Sequence, residues 1–403
     1  MLKRYFKAYA KWGRNARVLV LTEPLWSLPF SWFFFYRPIY MREVGFGEAE
    51  IGAFYSIPLI SQLFMPLVGG YLADRFGRKG VFMLFDFLGW FTSILIWSLS
   101  DDRILIAVAF VFEGLVATIY AIWECLLVED TEPGYRTSIY GAVQTIYLVG
   151  SLLTPLAGAI VARYGVSRGF RILSRITLLS IAIMYVVRQI FLVEPRGLLA
   201  SGGKVGVPSV AGYPDVVKAV LSEPKLLSLV AVNTMSGFMY PMGWAVPLYL
   251  TDERALGLDP GVASTFQTVS AIPSIILLVV LTPRIVERRG LANTIKASFL
   301  AGTAGMALLL ASSKGNYPLA LLASALDSLR YVASFALIKT YLNNSIEDVD
   351  PKLRAKFLSF TTTLAAVASL PAPTVSGVVY AVNPRLVPAL LALLSLLASL
   401  LTR

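Results

Sequence analysis

Two acidic residues of this sequence lie near the middle of long apolar runs, where ionisable groups are rare. Glu113 lies within the run 103–128, and Asp327 lies within the run 317–344. A carboxyl group at membrane depth is costly and usually faces a partner or a water-filled cavity. Such a group can load and release a proton. We therefore expect Glu113 and Asp327 to be proton-coupling residues, with Glu113 as the one that titrates.

Helical spacing places further side chains beside these two acids. Tyr120 follows Glu113 at i+7 and Tyr331 follows Asp327 at i+4, so each tyrosine is expected on the face of its acid. Arg330 lies three residues after Asp327, which is close enough for an ion pair on a helix. A static ion pair that locks helix 4 against helix 10 is the alternative role for these groups.

Other side chains in the apolar runs are candidates for contact with a small-molecule substrate. Trp32 and Trp244 could stack on an apolar substrate. Asn233 could donate a hydrogen bond to a substrate or to a neighbouring helix. Arg37 is expected to reach the lipid headgroups at the outer end of its run, or else to attract an anion there.

Three more charged residues are expected to lie near the cytoplasmic ends of their runs. Arg188 and Lys339 are expected to reach the inner headgroups. Asp86 follows soon after the charged stretch that ends at Gly80, so we expect it to join a cytoplasmic cluster of charges.

The elements that position these residues follow from the composition. The chain has 403 residues, of which 57% are hydrophobic and 15% charged, and its mean hydropathy is +0.70. Soluble domains carry about a quarter charged residues. Apolar runs of about 20 residues recur along the chain, and this length crosses a bilayer as a helix. We predict an all-α membrane protein with 12 transmembrane helices. The predicted spans are 17–41, 50–73, 80–99, 103–128, 136–162, 172–193, 225–250, 261–286, 293–312, 317–344, 354–381 and 385–402.

The net charge of +11 sets the orientation of these helices. Lys and Arg are concentrated in the even-numbered connections and at both termini, and such an excess marks the cytoplasmic side. We therefore expect cytoplasmic termini and no nucleic-acid partner. The exception is a group of arginines in one outward connection, namely Arg163, Arg168, Arg171 and Arg175.

The cysteine and histidine content argues against catalysis. Cys125 is the one cysteine, and the sequence has no histidine. Disulfides, thiolate metal clusters and imidazole catalysis are therefore not expected. The sequence also lacks a nucleotide-binding loop of the form G-x-x-x-x-G-K-[ST]. We predict no enzymatic activity, no cofactor and no metal.

The chain divides into four predicted parts. Residues 1–16 form a basic amphipathic segment that would lie on an anionic cytoplasmic surface. Residues 17–193 and 225–403 form two six-helix bundles. The cytoplasmic linker 194–224 between them contains a short helix in PDVVKAVLSEP, with Asp215 as its N-cap.

Landmarks in the two halves correspond in order. DRFG at 74–77 matches ERRG at 287–290, and Glu113 matches Asp327. In addition, Arg136 matches Arg354 and Pro155 matches Pro373. Parallel repeats of this kind are a recurrent transporter architecture, which favours two pseudo-symmetric bundles.

Two motifs resemble those of the major facilitator superfamily. The stretch Gly-Tyr-Leu-Ala-Asp-Arg-Phe-Gly-Arg-Lys at 70–79 resembles the loop between helices 2 and 3 of that family. In helix 5, Gly141, Gly150, Pro155 and Gly158 resemble a pattern found in its 12-helix drug/proton antiporters. Thr154 and Ala159 replace two glycines of that pattern, and helix 4 lacks the arginine typical of proton-coupled drug exporters.

The resemblance implies that the loop after helix 2 is a cytoplasmic gate. Asp74 is expected near the N-terminus of helix 11, where the helix dipole favours an anion. Arginines of the loop are expected to pair with acids at the inner end of helix 4. The predicted gate consists of Gly70, Asp74, Arg75, Gly77, Arg78 and Lys79, with Glu124, Glu129 and Asp130.

The function that the resemblance implies is secondary active transport by alternating access. We expect a monomer in the lipid bilayer of the cell membrane that exports a small apolar or amphipathic solute with proton coupling. Uptake of a small organic solute or anion is the alternative. A receptor that binds ligand on the same fold without moving it is a further alternative.

Overall fold

A computed structural model describes residues 9–195, 213–281, 290–349 and 353–402. These residues form helices joined by short connections, and none of them lies in a strand. We number the helices at the twelve predicted spans α1 to α12. They are α1 (Arg14–Glu43), α2 (Glu48–Ser61 and Met65–Phe76), α3 (Arg78–Leu99), α4 (Arg103–Thr118 and Tyr120–Val128), α5 (Pro133–Tyr164), α6 (Val166–Phe191), α7 (Pro224–Met239, Tyr240–Trp244 and Ala245–Thr251), α8 (Pro260–Leu278), α9 (Leu291–Ala311), α10 (Tyr317–Val332, Ala333–Leu337 and Ile338–Val349), α11 (Lys356–Val382) and α12 (Leu386–Leu401).

The predicted all-α membrane fold is confirmed. Within the described residues, seven helices are long and apolar enough to cross a membrane, and nine are if the bent pairs of α2 and α4 each count as one span. The other three predicted spans are also helical. α7 is interrupted by a 3-10 turn and α10 by a π turn, while α12 has 16 residues.

Two of the long helices are interrupted just before a proline. α5 is interrupted between Leu152 and Thr154, just before Pro155. α11 is interrupted in the same way just before Pro373. A proline removes one backbone donor and cannot follow an ideal helix, so a break on its N-terminal side is expected. The matching breaks agree with the predicted correspondence of Pro155 and Pro373.

Residue contacts divide the chain into two compact units. Unit 1 comprises residues 1–44 and 57–205, and unit 2 comprises residues 45–56 and 206–403. The start of α2 thus groups with the second unit, because Gly52 packs directly on Gly377 and Pro373 of α11. The domain limits predicted from sequence stay a prediction.

The core of unit 1 is built on aromatic side chains of α1. Tyr40 stacks on Phe170 of α6 with ring centroids 4.3 Å apart, and Phe33 lies 5.2 Å from the same ring. On another side of α1, Gly150 of α5 lies against the backbone of Ser27. A glycine here permits the close approach of the two helices.

The core of unit 2 contains a second close helix pair. Gly302 and Gly305 of α9 lie against α10, where a side chain would collide with Arg330 and with the backbone of Ala323. Small residues at such seams let helices approach closely in a bilayer. This packing covers the polar part of α10 that carries Asp327.

Three sequence predictions fall partly on residues that the structure does not describe. These residues are 1–8 of the basic segment, 196–212 of the linker, and 287–289 of ERRG. The linker helix is observed as Tyr213–Ser222, with Asp215 in its first turn rather than at its N-cap.

The described end of the basic segment packs on the protein. The side chain of Trp12 is buried and donates a hydrogen bond to Ser138 at 2.8 Å. Trp12 therefore does not lie on the membrane surface as the sequence predicted.

Candidate functional site

A cluster of buried charges lies inside unit 1. Arg188 of α6 donates to Glu23 of α1 at 2.9 Å and to the hydroxyl of Thr22 at 2.9 Å. Its guanidinium also lies 3.9 Å from the carboxylate of Asp86 of α3. Tyr147 of α5 donates to the second oxygen of Glu23 at 2.9 Å. We call Glu23, Asp86, Tyr147 and Arg188 the inner charge cluster.

The inner charge cluster corrects two sequence predictions. Arg188 was expected to reach the headgroups, but its side chain is 3% exposed and bound on three sides by protein. Asp86 was expected to join a cytoplasmic cluster, but its side chain is also 3% exposed. Both predictions were wrong because a partner on another helix lowers the free-energy cost of burying a charged side chain.

The inner charge cluster contains more negative than positive charge. With all groups ionised, Glu23 and Asp86 carry two negative charges and Arg188 carries one positive charge. Arg188 donates hydrogen bonds to Thr22 and Glu23, whereas its guanidinium lies 3.9 Å from the carboxylate of Asp86, beyond hydrogen-bond distance. A buried carboxylate without a matching cation is costly. The arrangement therefore favours uptake of one proton or one cation at Asp86.

A small aromatic cavity adjoins the inner charge cluster. Its volume is about 140 Å³. Pockets that hold drug-sized molecules usually measure about 300–1,000 Å³, so this cavity suits water or a small group. Its aromatic lining consists of Trp26, Phe82, Trp90, Tyr120, Trp123 and Tyr147.

A second buried ion pair in unit 1 involves the predicted proton-coupling residue. Arg37 of α1 donates to Glu113 of α4 at 2.6 Å, with side chains 3% and 13% exposed. The guanidinium also lies over the ring of Phe110 at 4.7 Å. The expectation that Arg37 reaches the headgroups was therefore wrong. Glu113 is held in a direct ion pair.

The helical face predicted for α4 is interrupted. A 3-10 turn at Val116–Thr118 separates the two parts of α4, which are bent by 42°. As a result, Glu113 pairs with Arg37 while Tyr120 lines the cavity beside the inner charge cluster. The prediction assumed a straight helix of constant pitch, and the tighter turn changes the rotation of everything after it.

In unit 2, the predicted pair of Asp327 and Arg330 is present. The guanidinium makes two parallel hydrogen bonds to the carboxylate, at 2.6 Å and 2.9 Å. Both side chains are buried, with Arg330 1% exposed. The ring of Tyr331 lies 4.6 Å from the guanidinium. The bidentate geometry matches one positive charge to one negative charge.

The other predicted substrate contacts are engaged within the protein or lie apart from these charges. Asn233 donates to the backbone of Thr361 at 3.0 Å, which is its predicted alternative role. Trp244 donates to Ser376 at 3.0 Å and stacks on Tyr55 at 5.4 Å. Trp32 of α1 is half-buried. The contacts of Asn233 and Trp244 hold neighbouring helices of unit 2 together.

The charged loop before α3 makes one of the contacts that were predicted for a gate. Arg78 pairs with Glu129 at the end of α4, as the resemblance implied. Gly77 has a φ of +88°, which glycine adopts readily, and this turn reverses the chain into α3. Asp74 is exposed and Arg75 donates to Tyr71 at 3.0 Å.

Other members of the predicted gate have separate contacts. Asp130 accepts the backbone N–H of Asn15 at 2.8 Å, while Glu124 is exposed. Glu194 is an addition that the sequence did not predict. Its carboxylate accepts the N–H groups of Arg78 and Lys79 at 2.6 Å and 2.9 Å, which stabilises the N-terminus of α3.

The inner charge cluster could have been predicted from the positions of its charged residues within the predicted spans. Glu23 and Asp86 each lie six residues after the predicted start of a span, and Arg188 lies five residues before the end of one. All three counts start from the predicted cytoplasmic side. Ionisable groups at equal depth in different helices are candidates for mutual contact.

Metal ligation has no candidate among the described residues. Across residues 9–195, 213–281, 290–349 and 353–402, no three His, Cys, Asp or Glu side chains are grouped so as to hold a metal ion.

Comparison with known proteins gives one family over most of the chain. The model of the Major Facilitator Superfamily matches residues 27–373. This range includes Asp86, Tyr147 and Arg188 of the inner charge cluster and both ion pairs described above, and it begins four residues after Glu23. The resemblance of the loop 70–79 and of the α5 motif is therefore supported by a match along nearly all of the chain.

Two curated relatives match parts of the chain. A Na(+), Li(+), K(+)/H(+) antiporter of Planococcus maritimus is 27% identical over 184 residues, which are 44% of this chain and 42% of that protein. Multidrug resistance protein 2 of Bacillus subtilis (strain 168) is 22% identical over 280 residues, which are 66% of this chain and 65% of that protein. The matched segments thus cover less than two thirds of either relative.

Solved structures match the whole fold. The nucleoside transporter NupG superimposes with a TM-score of 0.72 at 16% identity, covering 96% of this chain and 97% of that chain. A bacterial homologue of the iron transporter ferroportin, in an inward-facing state, gives a TM-score of 0.68 at 16% identity, covering 96% and 98%. At this identity the likeness establishes the fold.

Proposed function

This chain belongs to the Major Facilitator Superfamily, and we propose that it is a proton-coupled secondary transporter that exports a small apolar or amphipathic solute by alternating access. The proton site is the inner charge cluster, with Asp86 as the group that gains and loses the proton. We place the protein in the cell membrane with both termini in the cytoplasm, following the distribution of Lys and Arg.

The observation that carries this proposal is the surplus carboxylate of the inner charge cluster. Arg188 balances Glu23 through a hydrogen bond of 2.9 Å, and Asp86 is left with a contact of 3.9 Å. Protonation of Asp86 makes the buried cluster neutral, and deprotonation leaves a net negative charge inside the unit. Neutral and charged clusters differ in hydration, so the proton can bias the two conformations that alternating access requires.

The size of the cavity favours a proton over the transported solute as the occupant. A cavity of about 140 Å³ is small for an organic molecule and sufficient for a few waters. Water in the cavity would connect Asp86 to the aqueous phase. Tyr147, bound to Glu23, would keep that carboxylate from taking the proton in place of Asp86.

The proposal changes the roles expected for Glu113 and Asp327. Each of these acids faces one arginine in a short ion pair, at 2.6 Å in both cases. We assign them to two static ion pairs, one that joins α1 with α4 and one within α10. The static role was the predicted alternative, but the partners differ from the expected pairing of helix 4 with helix 10. The residue that we propose to titrate is therefore Asp86 of α3, in place of Glu113 of α4.

The direction of transport and the type of solute are proposed from two lines of support. The motif of Gly141, Gly150, Pro155 and Gly158 resembles that of drug/proton antiporters. The two curated relatives are named as a cation/H(+) antiporter and a multidrug resistance protein.

Arg78 and Glu129 belong to the cytoplasmic gate that we propose for the loop 69–80.

The proposal is tested by transport in proteoliposomes under an imposed pH gradient. The panel consists of ethidium as a cation, chloramphenicol as a neutral compound and benzoate as an anion. We expect movement of at least one compound to depend on the gradient in the wild-type protein. In the Asp86→Asn variant, the flux should be the same with and without the gradient. The reason is that the inner charge cluster would then lack the group that exchanges the proton.

Glu132→Gln is the matched control. Glu132 precedes α5 and is exposed, so its neutralisation should leave the dependence on the gradient unchanged. Full gradient dependence in Asp86→Asn would refute the assignment of the proton site. Specific binding of a compound without any flux would support the receptor alternative.

A further inference from the structure

Three arginines of unit 1 stand outside every function assigned so far. Arg163 lies at the end of α5, and Arg168 and Arg175 lie on the first turns of α6. All three side chains are exposed. They belong to the connection that departs from the charge distribution seen in the rest of the sequence, so the positive-inside bias does not account for them.

Their neighbour Arg171 is neutralised by an acid and the others are not. Arg171 donates to Asp101 at 2.6 Å. Within the part of the chain that the structure describes, Arg168 and Arg175 have no acidic partner, and the contact recorded for Arg163 is with the ring of Tyr164 at 5.5 Å. The positive charges of this patch are therefore available to a ligand.

The position of Arg168 and Arg175 on α6 points to the lipid phase. They are seven residues apart, which is two turns and about 10.5 Å along one face of a helix. The same face continues toward the other end of α6 as an exposed apolar stripe. That stripe consists of Ile176, Leu179, Ile183, Val186 and Ile190. Exposed apolar side chains in a membrane-spanning helix lie against lipid tails, so the two arginines stand at the headgroup end of a lipid-facing stripe.

The depth of the patch agrees with this placement. Tyr164 is about half exposed and follows Arg163 at the end of α5. Tyrosines are enriched at the level of the lipid headgroups, where one end of the ring is apolar and the other is wet. Arg175 lies deeper along α6, and its side chain must extend toward the headgroups to avoid the hydrocarbon.

We propose that Arg163, Arg168 and Arg175 form a binding site for the phosphate of an anionic phospholipid, with the acyl chains lying along the apolar stripe of α6. A guanidinium presents paired donors that match two phosphate oxygens. Several unneutralised positive charges favour a headgroup with net negative charge over a zwitterionic one, because the ammonium of phosphatidylcholine would be repelled. This inference is independent of the solute and of the proton site.

The site is tested by native mass spectrometry of the purified full chain, mixed with either phosphatidylglycerol or phosphatidylcholine. We expect retention of phosphatidylglycerol in preference to phosphatidylcholine. Arg168→Gln and Arg175→Gln should each lower the affinity for phosphatidylglycerol about fivefold, as expected for one basic residue near an anionic surface. The substituted side chains are exposed, so the fold should be retained.

Arg385→Gln is the matched control, because Arg385 is exposed and lies outside the patch. Its affinity for phosphatidylglycerol should equal that of the wild-type protein. Equal retention of the two lipids, or an equal loss in all three variants, would overturn the proposal. Displacement of phosphatidylglycerol by millimolar inorganic phosphate would also overturn it, since the site would then recognise free phosphate. None of these readouts depends on transport.

Discussion

The buried charges of the two units differ in their balance. In unit 2, Arg330 meets the single carboxylate of Asp327 through two parallel hydrogen bonds. In unit 1, Arg188 lies between Glu23 and Asp86, and it approaches Glu23 more closely by 1.0 Å, from 3.9 Å for Asp86 to 2.9 Å for Glu23. Arg330 of unit 2 thus forms a closed pair, as Arg37 does with Glu113 in unit 1. Arg188 of unit 1 instead forms a pair with an additional acid beside it.

This difference shows how the number of partners decides what a buried acid can do. A matched ion pair resists protonation, since protonating the acid would leave the arginine unpaired in an apolar environment. A surplus acid has the opposite property, because protonation removes an uncompensated charge. Position near the middle of a span, which singled out Glu113 and Asp327, does not distinguish the two situations.

The largest expected effect comes from removing the arginine that serves two acids. Arg188→Met should lower the free energy of unfolding by about 3–5 kcal/mol, since it leaves Glu23 and Asp86 buried without a cation. The loss should exceed that of Arg330→Met, which leaves one acid. Both are measured by chemical unfolding in detergent micelles, with the exposed Arg385→Met as control. Equal losses in the two variants would contradict the comparison.

A smaller net effect is expected when the closed pair is removed as a whole. Arg330→Met alone should cost about 3 kcal/mol, whereas the double variant Asp327→Leu/Arg330→Met should return to within about 1 kcal/mol of the wild-type protein. Apolar side chains of similar volume fill the space without desolvating charges. The unfolding free energies of the two single variants and the double variant form a double-mutant cycle. A double variant as unstable as Arg330→Met would show that the pair is not the source of the loss.

The smallest expected effect comes from a charge near the surface of unit 1. It shows how much stability is lost when a less buried contact is weakened. Glu194→Gln should lower the free energy of unfolding by about 0.5 kcal/mol. The amide weakens the two bonds from the N–H groups of Arg78 and Lys79. Thermal unfolding in detergent, with Glu132→Gln alongside, measures this change. A loss as large as that of Arg188→Met would mean that burial does not set the scale of these effects.

The fold was largely predictable because the bilayer imposes it on each helix separately. Every backbone group in the hydrocarbon must be bonded within its own helix, so an apolar run of sufficient length is enough to identify a span. The contact of Asp327 with Arg330 was predictable for a similar reason. Their spacing of three residues brings them together on one helix whatever surrounds it.

Contacts between helices were not predictable in the same way. Arg37 and Arg188 were expected to reach the headgroups, because each lies near the end of a span and no acid lies beside it in sequence. Their partners Glu113 and Glu23 lie on other helices. The break in α4 had a similar effect, since a 3-10 turn cannot be read from a run of apolar residues.

The sequence by itself determined the helical membrane fold, the family, and the identity of the acids that lie within the spans. Local spacing and hydropathy carry that information. The tertiary structure decided which of those acids are neutralised. The energy of a buried carboxylate depends on the distance to a cation, and that distance is set by the packing of α1, α3 and α6 against one another.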